Sequence, residues 1–322
     1  MRQAASLTDT VRLAPMRLVF AGTPTVAAET LAHLLDHTDH DVVAVVTRPD
    51  AAQGRSKRLV ASPVARLAEA RGIEVLRPAR PSDPAFTQRL AVLAPDACPV
   101  VAYGALIPAS VLAVPRLGWI NVHFSLLPRW RGAAPVQRAI LAGDDITGVS
   151  VFGLVPQLDA GPLFASESTP IGTSETAGEL LSRLTAIGSR LLGEVLDGLA
   201  SGTSLATEQP VNGLTLAPKL RAEDARLDWN RPAGELARIV RACNPSPMAW
   251  TQAAGERFRV LLAEPGSATG LEPGQVGATK HEVRVGTGEG DLLLRRVQPQ
   301  GRTPMAAADW ARGLQGAEVH LR

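Results

Sequence analysis

From Arg17 onward the chain alternates short apolar runs with stretches of helical period. Arg17-Leu18-Val19-Phe20-Ala21 and Asp41 to Thr47 have the length and composition of buried strands, and a helical pattern from Thr25 to about Leu35 separates them. Ile73-Glu74-Val75-Leu76 and Asp96 to Ala102 repeat the strand signal. Helices are predicted from Ser62-Pro63 to about Ala70, with proline in the first turn, and after the capping pair Asp83-Pro84. Gly118-Trp119-Ile120 leads a further buried strand into Asn121-Val122-His123, and an apolar run follows from Ala133 to Ala142. Thr147 to Leu154 is extended. Thr176 to Leu199 carries leucine, isoleucine and valine at helical spacing. Strand and helix alternating in this way predict an open, parallel-rich α/β sheet of Rossmann-like type.

After Ser201-Gly202-Thr203-Ser204 the texture changes. A polar stretch, residues 204–219, reads as a linker, and residues 220–322 as a second domain. There a helix from Ala233 to Arg241 is followed by short alternating segments: Phe258 to Leu262, Val283 to Gly286 and Asp291 to Val297. Glycine turns between short strands predict a small β-barrel. A chain of 322 residues divides naturally into two domains. Residues 16–203 form the first, and residues 1–15 read as an extension ahead of it.

Composition narrows the picture only a little. A hydrophobic fraction of 45% supports a sizeable core, and a net charge of +2 leaves room for a local basic patch. Cys98 and Cys243 lie far apart and read as reduced thiols. The apolar region 90–115 is broken by Pro95, Asp96, Pro99, Pro108 and Pro115, so no membrane span is expected. No apolar h-region precedes Met16, and a cytoplasmic location is expected.

The chemistry gathers at the end of the Trp119 strand. Residues two apart on a strand share a face, so Asn121 and His123 project together. An amide donor beside an imidazole can hold a carbonyl oxygen while a proton moves. Ser125-Leu126-Leu127-Pro128 then makes a tight loop. Residues 48–59 hold four cations against one acid without apolar period, an exposed basic loop suited either to solvent or to phosphate contact. Asp159, in the turn-rich segment Val155 to Pro162, serves by spacing alone as well in an Asx-turn as in a site. His33 and His37 are four apart on a predicted helix but have no third ligand beside them, so a surface role is expected and no metal site. No G-x-G-x-x-G follows the first strand, which leaves a dinucleotide site unsupported.

The run Asn121 to Pro135, with its S-L-L-P-R-W-R-G-A-A-P wording, resembles the formyltetrahydrofolate-dependent formyltransferases. So do F-A-G-T-P at Phe20 to Pro24, V-A-Y-G at Val101 to Gly104 and L-D-x-G at Leu158 to Gly161. The resemblance spans about Met16 to Gly313. It implies 10-formyltetrahydrofolate as formyl donor, with Asn121, His123 and Asp159 as the catalytic set. Asp159 would then orient His123 through a charge-assisted hydrogen bond. Ser125, Leu126, Leu127 and Pro128 would contact the folate, with Tyr103 and Gly104 lining the pterin pocket. In members that formylate initiator methionyl-tRNA, the basic insertion engages the acceptor arm. Arg55 stands at the probing position there, beside Lys57 and Arg58, and an OB-like β-barrel domain helps to hold the tRNA. Initiator methionyl-tRNA is therefore the implied acceptor, and a monomer is expected. Arg259, Arg295, Arg296 and Arg302 are candidates for the barrel's basic face. The alternative acceptor is a small amine such as an amino sugar nucleotide. Two details depart from the family pattern: Ala51-Ala52-Gln53-Gly54 replaces R-P-A-G, and Pro162 stands where aspartate is common.

Overall fold

The structure is a computed structural model and describes residues 14–53, 58–314 and 318–322. The chain begins with β1 (Arg17–Gly22), α1 (Thr25–His37), β2 (Asp41–Val46), β3 (Ala51–Gln53), β4 (Arg58–Val60), α2 (Pro63–Ala70) and β5 (Glu74–Leu76). Next come α3 (Pro84–Leu93), β6 (Cys98–Val101), α4 (Ala109–Leu112), β7 (Trp119–His123), β8 (Arg131–Gly132) and α5 (Pro135–Ala142). They lead to β9 (Ile146–Gly153), β10 (Leu163–Pro170), α6 (Ala177–Ser201), β11 (Leu216–Ala217) and α7 (Ala233–Ala242). The last elements are β12 (Ala249–Ala253), β13 (Glu256–Gly266), β14 (Val276–Ala278), β15 (Val283–Gly286), β16 (Asp291–Pro299), β17 (Met305–Ala306) and α8 (Ala307–Arg312).

Two compact units share these elements. One holds the chain through His123 together with Ser150–Ser166 and Thr185–Gln209, and the other holds Phe124–Val149, Glu167–Leu184 and Pro210–Arg322. The principal sheet has the order β10-β9-β7-β6-β1-β2-β5. Its strands β7, β6, β1, β2 and β5 pair in parallel, and β9 runs antiparallel to β7. Strand order reverses direction between β1 and β6, and ligands of such sheets bind beyond the carboxyl ends at that reversal. The chain leaving β1 is tight there. A Cβ on Gly22 would lie 2.6 Å from Ala27 Cβ and 2.9 Å from the Val101 carbonyl oxygen, so only glycine lets α1 approach this closely.

Local chemistry starts the helices where the sequence suggests. Ser62 Oγ accepts the Ala65 N–H at 3.0 Å, and Asp83 Oδ1 accepts the Ala85 N–H at 3.0 Å, each ahead of a proline in the first turn. The core behind the β1–β6 junction is built from Val19, Ala21, Val46, Phe86, Leu90, Val100, Tyr103 and Trp119. Trp119 donates its indole N–H to the Val111 carbonyl at 3.0 Å, which ties β7 to α4.

His40, 8% exposed, links the start of β1 to α6. Its Nδ1 accepts the Met16 N–H at 3.3 Å, so Nε2 carries the proton and lies 3.3 Å from Asp197 Oδ1. Burial holds the imidazole pKa below its ordinary 6.5, against the opposing attraction of Asp197 and Asp39. A depressed histidine pKa contributes stability above pH 6.5 that is lost as pH falls through the folded value. The stability gap between the wild type and His40→Gln, read from urea midpoints, is expected to shrink as pH is lowered from neutrality. A gap independent of pH would count against this role.

The second sheet has the order β12-β13-β16-β15-β14, with β17 paired to β16. Residues near the end of the chain join its two edges. Arg322 exchanges backbone hydrogen bonds with Gln252 on β12 at 2.8 and 2.9 Å. On the other side, Leu321 donates to Gly274 and Val276 to Val319. The antiparallel sheet is thereby bridged into a barrel, its edges covered rather than exposed. Trp229, Leu236, Val240, Phe258, Val260, Leu292, Leu294 and Leu321 fill it. Leu321, 2% exposed, is part of both the closure and the core. Leu321→Ala is expected to destabilise the protein by about 2–5 kcal/mol in chemical denaturation. Retention of wild-type stability would mean that the edge bonds, and not this packing, close the barrel.

Several elements depart from the sequence reading. α1 continues to His37, placing His33 and His37 rings 4.7 Å apart, half-buried and exposed respectively. Among the described residues, no group of three His, Cys, Asp or Glu side chains could hold a metal ion. Within the basic segment read as a plain loop, β3 and β4 pair antiparallel, with Ala51 opposite Val60. β10 was not foreseen, because its half-exposed Ser-Glu-Ser-Thr residues lack an apolar alternation. The stretch read as a linker is pinned within each unit: Leu163 and Thr207 bridge, and β11 pairs in parallel with β8. Cys98 and Cys243 are free and buried; burial pushes the Cys243 thiol up to about 12 and Cys98 higher still. Among the described residues no helix is long and apolar enough to cross a membrane.

Candidate active site

β7 is held on both flanks, by β6 in parallel and by β9 in antiparallel register, with Asn121 opposite Phe152 and His123 opposite Ser150. Its last residues therefore stand on a rigid support, and alternation puts Asn121 and His123 on one face. His123 is 5% exposed, while Asn121 is half-buried. The Phe152 ring meets His123 edge-on, centroids 6.4 Å apart and planes at 88°, and limits imidazole rotation. Among the described residues no hydrogen bond engages the Asn121 side-chain amide, which leaves its donor N–H groups available.

Asp159 comes to this strand from the 155–162 loop. Its Oδ2 lies 3.8 Å from His123 Nδ1, with side-chain exposures of 12% and 6%. That separation is ion-pair range and longer than the charge-assisted hydrogen bond expected from the resemblance; such contacts commonly tighten when substrate binds. Asp159 has φ 47°, in the left-handed region that aspartate tolerates better than most residues. The loop is fastened from two sides. Gln209 Nε2 donates to the carbonyls of Asp159 and Gly161, both at 2.8 Å, and Gly153 donates to Pro162 at 2.9 Å. Gln209 was missed from sequence because it lies in the polar stretch; nothing local announces a partner 50 residues away.

The remaining candidates are distributed as follows. Tyr103 follows β6, its side chain 3% exposed in the core, its carbonyl accepting Thr23 Oγ1 at 2.9 Å. Burial raises the phenol pKa, offset in part by Arg48. Gly104 is exposed with φ 82°. Both sit at the carboxyl end of β6, at the reversal point of the sheet. Ser125, Leu126, Leu127 and Pro128 continue directly from β7 and belong to the second unit, where Arg129 N–H closes the turn onto the Leu126 carbonyl at 3.0 Å. Arg58 is exposed on β4; Arg55 and Lys57 lie outside the described residues. Of the barrel arginines, Arg295, Arg296 and Arg302 are exposed and Arg259 is half-buried. Arg295 pairs with Glu264 at 3.0 Å and Arg259 donates to Gln298 at 3.2 Å.

Comparison with known proteins shows the family. Residues 16–196 match the family described as Formyl transferase, and residues 219–315 match Formyl transferase, C-terminal domain. A methionyl-tRNA formyltransferase of Streptomyces coelicolor is 53% identical over 304 residues, covering 94% of this chain and 98% of that protein. That of Thermobifida fusca is 55% identical over 299 residues, covering 92% and 96%. Among solved structures, an N-formyltransferase of Helicobacter canadensis in complex with folinic acid and dTDP-3-aminofucose superposes with a TM-score of 0.68. It is 15% identical, covers 88% of this chain and 99% of that one, and shows likeness of fold. Matched by both domain families and half-identical to relatives along almost its whole length, the chain belongs to the methionyl-tRNA formyltransferases of the formyl transferase family.

Proposed function

We propose that the Asn121–His123–Asp159 site transfers the formyl group of 10-formyltetrahydrofolate to the α-amine of the methionine on initiator methionyl-tRNA. The observation that carries the choice of acceptor is the identity of 53–55% to methionyl-tRNA formyltransferases, extending through the barrel domain. A small amine such as an amino sugar nucleotide is not favoured as acceptor, since the solved N-formyltransferase that binds one is only 15% identical.

In the proposed reaction the neutral amine attacks the formyl carbon and gives a tetrahedral intermediate whose oxygen becomes an oxyanion. The Asn121 amide donates to that oxygen, and the His123 imidazolium, favoured by the carboxylate of Asp159, stabilises it from the same strand face. The amine loses its proton to Asp159, directly or through water. Collapse breaks the carbon–N10 bond, and N10 takes up a proton to leave tetrahydrofolate. These steps need proton transfer and oxyanion stabilisation alone and call on no metal. Ser125 to Pro128, Tyr103 and Gly104 are proposed to receive the folate. Arg55, Lys57 and Arg58 of the basic segment are proposed to meet tRNA phosphates, as guanidinium and ammonium groups do. The enzyme would act as a monomer in the cytoplasm.

The test is formyl transfer from 10-formyltetrahydrofolate to charged initiator tRNA, charged elongator tRNA and free methionine. Transfer to the initiator alone is expected. Transfer to free methionine at a comparable rate would remove tRNA from the reading.

A further inference from the structure

The turn that follows Ser125 is held by a carboxylate for which the proposed chemistry has no use. Asp144, its side chain 14% exposed, accepts Arg129 Nε at 2.9 Å, Arg129 Nη2 at 2.5 Å and the Trp130 indole N–H at 2.8 Å. One carboxylate thus takes three donors from two consecutive residues. The Arg129 guanidinium also stacks on the Trp130 ring, 4.6 Å from its centroid. A lone exposed arginine–carboxylate pair contributes little, but a two-pronged fork with a stacked ring fixes orientation.

The backbone gives the reason such a clamp is needed. Trp130 has φ 64°, an unfavourable value for a bulky side chain. A strained conformation of this kind persists only where its surroundings over-determine it. Here the Trp130 N–H donates to Thr215 Oγ1 at 2.9 Å and the Arg131 N–H to the Thr215 carbonyl at 2.9 Å. On the other side, the Arg129 N–H donates to the Leu126 carbonyl at 3.0 Å, and Ser125 Oγ donates to the Arg129 carbonyl at 2.6 Å. The backbone of Arg129 closes the Ser125–Pro128 turn while its side chain is locked by Asp144.

We propose that Asp144 is a positioning residue for the formyl donor: by clamping Arg129 and Trp130 it sets the shape of the Ser125–Pro128 turn. This rests on the reading that the turn receives folate. Asp144 touches neither substrate; it acts through Arg129.

The experiment compares full-length wild type, Asp144→Asn and Asp144→Glu. Donor affinity is measured by calorimetric titration with 10-formyltetrahydrofolate alone, and kinetics with initiator methionyl-tRNA. Asp144→Asn is expected to weaken donor binding and raise donor KM by about tenfold, with tRNA KM and kcat within about threefold. Asp144→Glu, which keeps the two-pronged acceptor, is expected to recover most of the loss. Unchanged donor affinity in Asp144→Asn would overturn the proposal. So would parallel losses for donor and tRNA together with a lowered melting temperature, which would mark a purely structural role. Should Asp144→Asn fail to fold, Trp130→Phe, which removes the indole donor alone, carries the same readouts. If the wild type binds the donor but formylates no initiator tRNA, the proposed function falls, while the titration still judges the clamp.

Discussion

Asn121→Ala is expected to lower kcat for formyl transfer by about 100-fold or more, with both KM values within about threefold. The amide N–H would be used only once negative charge has developed on the formyl oxygen, so its loss raises the barrier without weakening ground-state binding. The fold gives this variant a clean reading. β7 is held by backbone hydrogen bonds to β6 and β9, which the substitution leaves in place. Among the described residues no hydrogen bond engages the Asn121 side-chain amide, so its removal orphans no buried partner. Thermal unfolding is therefore expected to stay near that of the wild type while turnover collapses. Asn121→Asp, equal in size but lacking donors, is expected to be as slow. Wild-type kcat in either variant at saturating substrates would remove Asn121 from the oxyanion site.

Gly161→Ala is expected to reduce kcat/KM by at least about tenfold through the position of Asp159, although Gly161 itself carries no chemistry. A Cβ built there lies 1.8 Å from the Gly153 carbonyl oxygen and 2.9 Å from its carbon. The obstruction is backbone, which cannot swing aside as the end of a side chain can, so the 155–162 loop must move. Two fastenings go with it: the Gly153 N–H to Pro162 bond and the Gln209 bonds to the Asp159 and Gly161 carbonyls. Asp159 Oδ2 already stands 3.8 Å from His123 Nδ1, and a further shift weakens their coupling. Overpacking of this kind also costs stability, about 1–3 kcal/mol. The check is kcat/KM together with a urea melt, and full activity in a folded variant would show that the loop tolerates displacement.

How far the fold and candidate site were legible depended on the range of the interaction behind each feature. The Trp119 strand was legible because a glycine and two large apolar residues precede two polar ones, and period-two geometry then aligns Asn121 with His123. Helix starts at Ser62-Pro63 and Asp83-Pro84 were legible because a cap acts within three residues. Asp159 was open to two readings from spacing alone, and only the L-D-x-G likeness favoured a site. β10 escaped notice because a half-exposed strand of serine, threonine and glutamate carries no apolar rhythm. Gln209, Thr215 and Asp144 escaped notice for another reason: each is an ordinary polar residue whose partner is chosen by where the chain returns.

The open α/β sheet, the change to short strands after residue 220, and the strand end bearing Asn121 and His123 were already written in the order of residues. These follow from side-chain size, polarity and period, which act within a few residues. Three features arose only on folding, and long-range packing made them. It joined the barrel edges through Val319 to Arg322, fastened the Asp159 loop with Gln209, and locked the turn after Ser125 with Asp144 and Thr215. Each is a hydrogen bond across a long stretch of chain, and its geometry exists only after the cores on either side have packed.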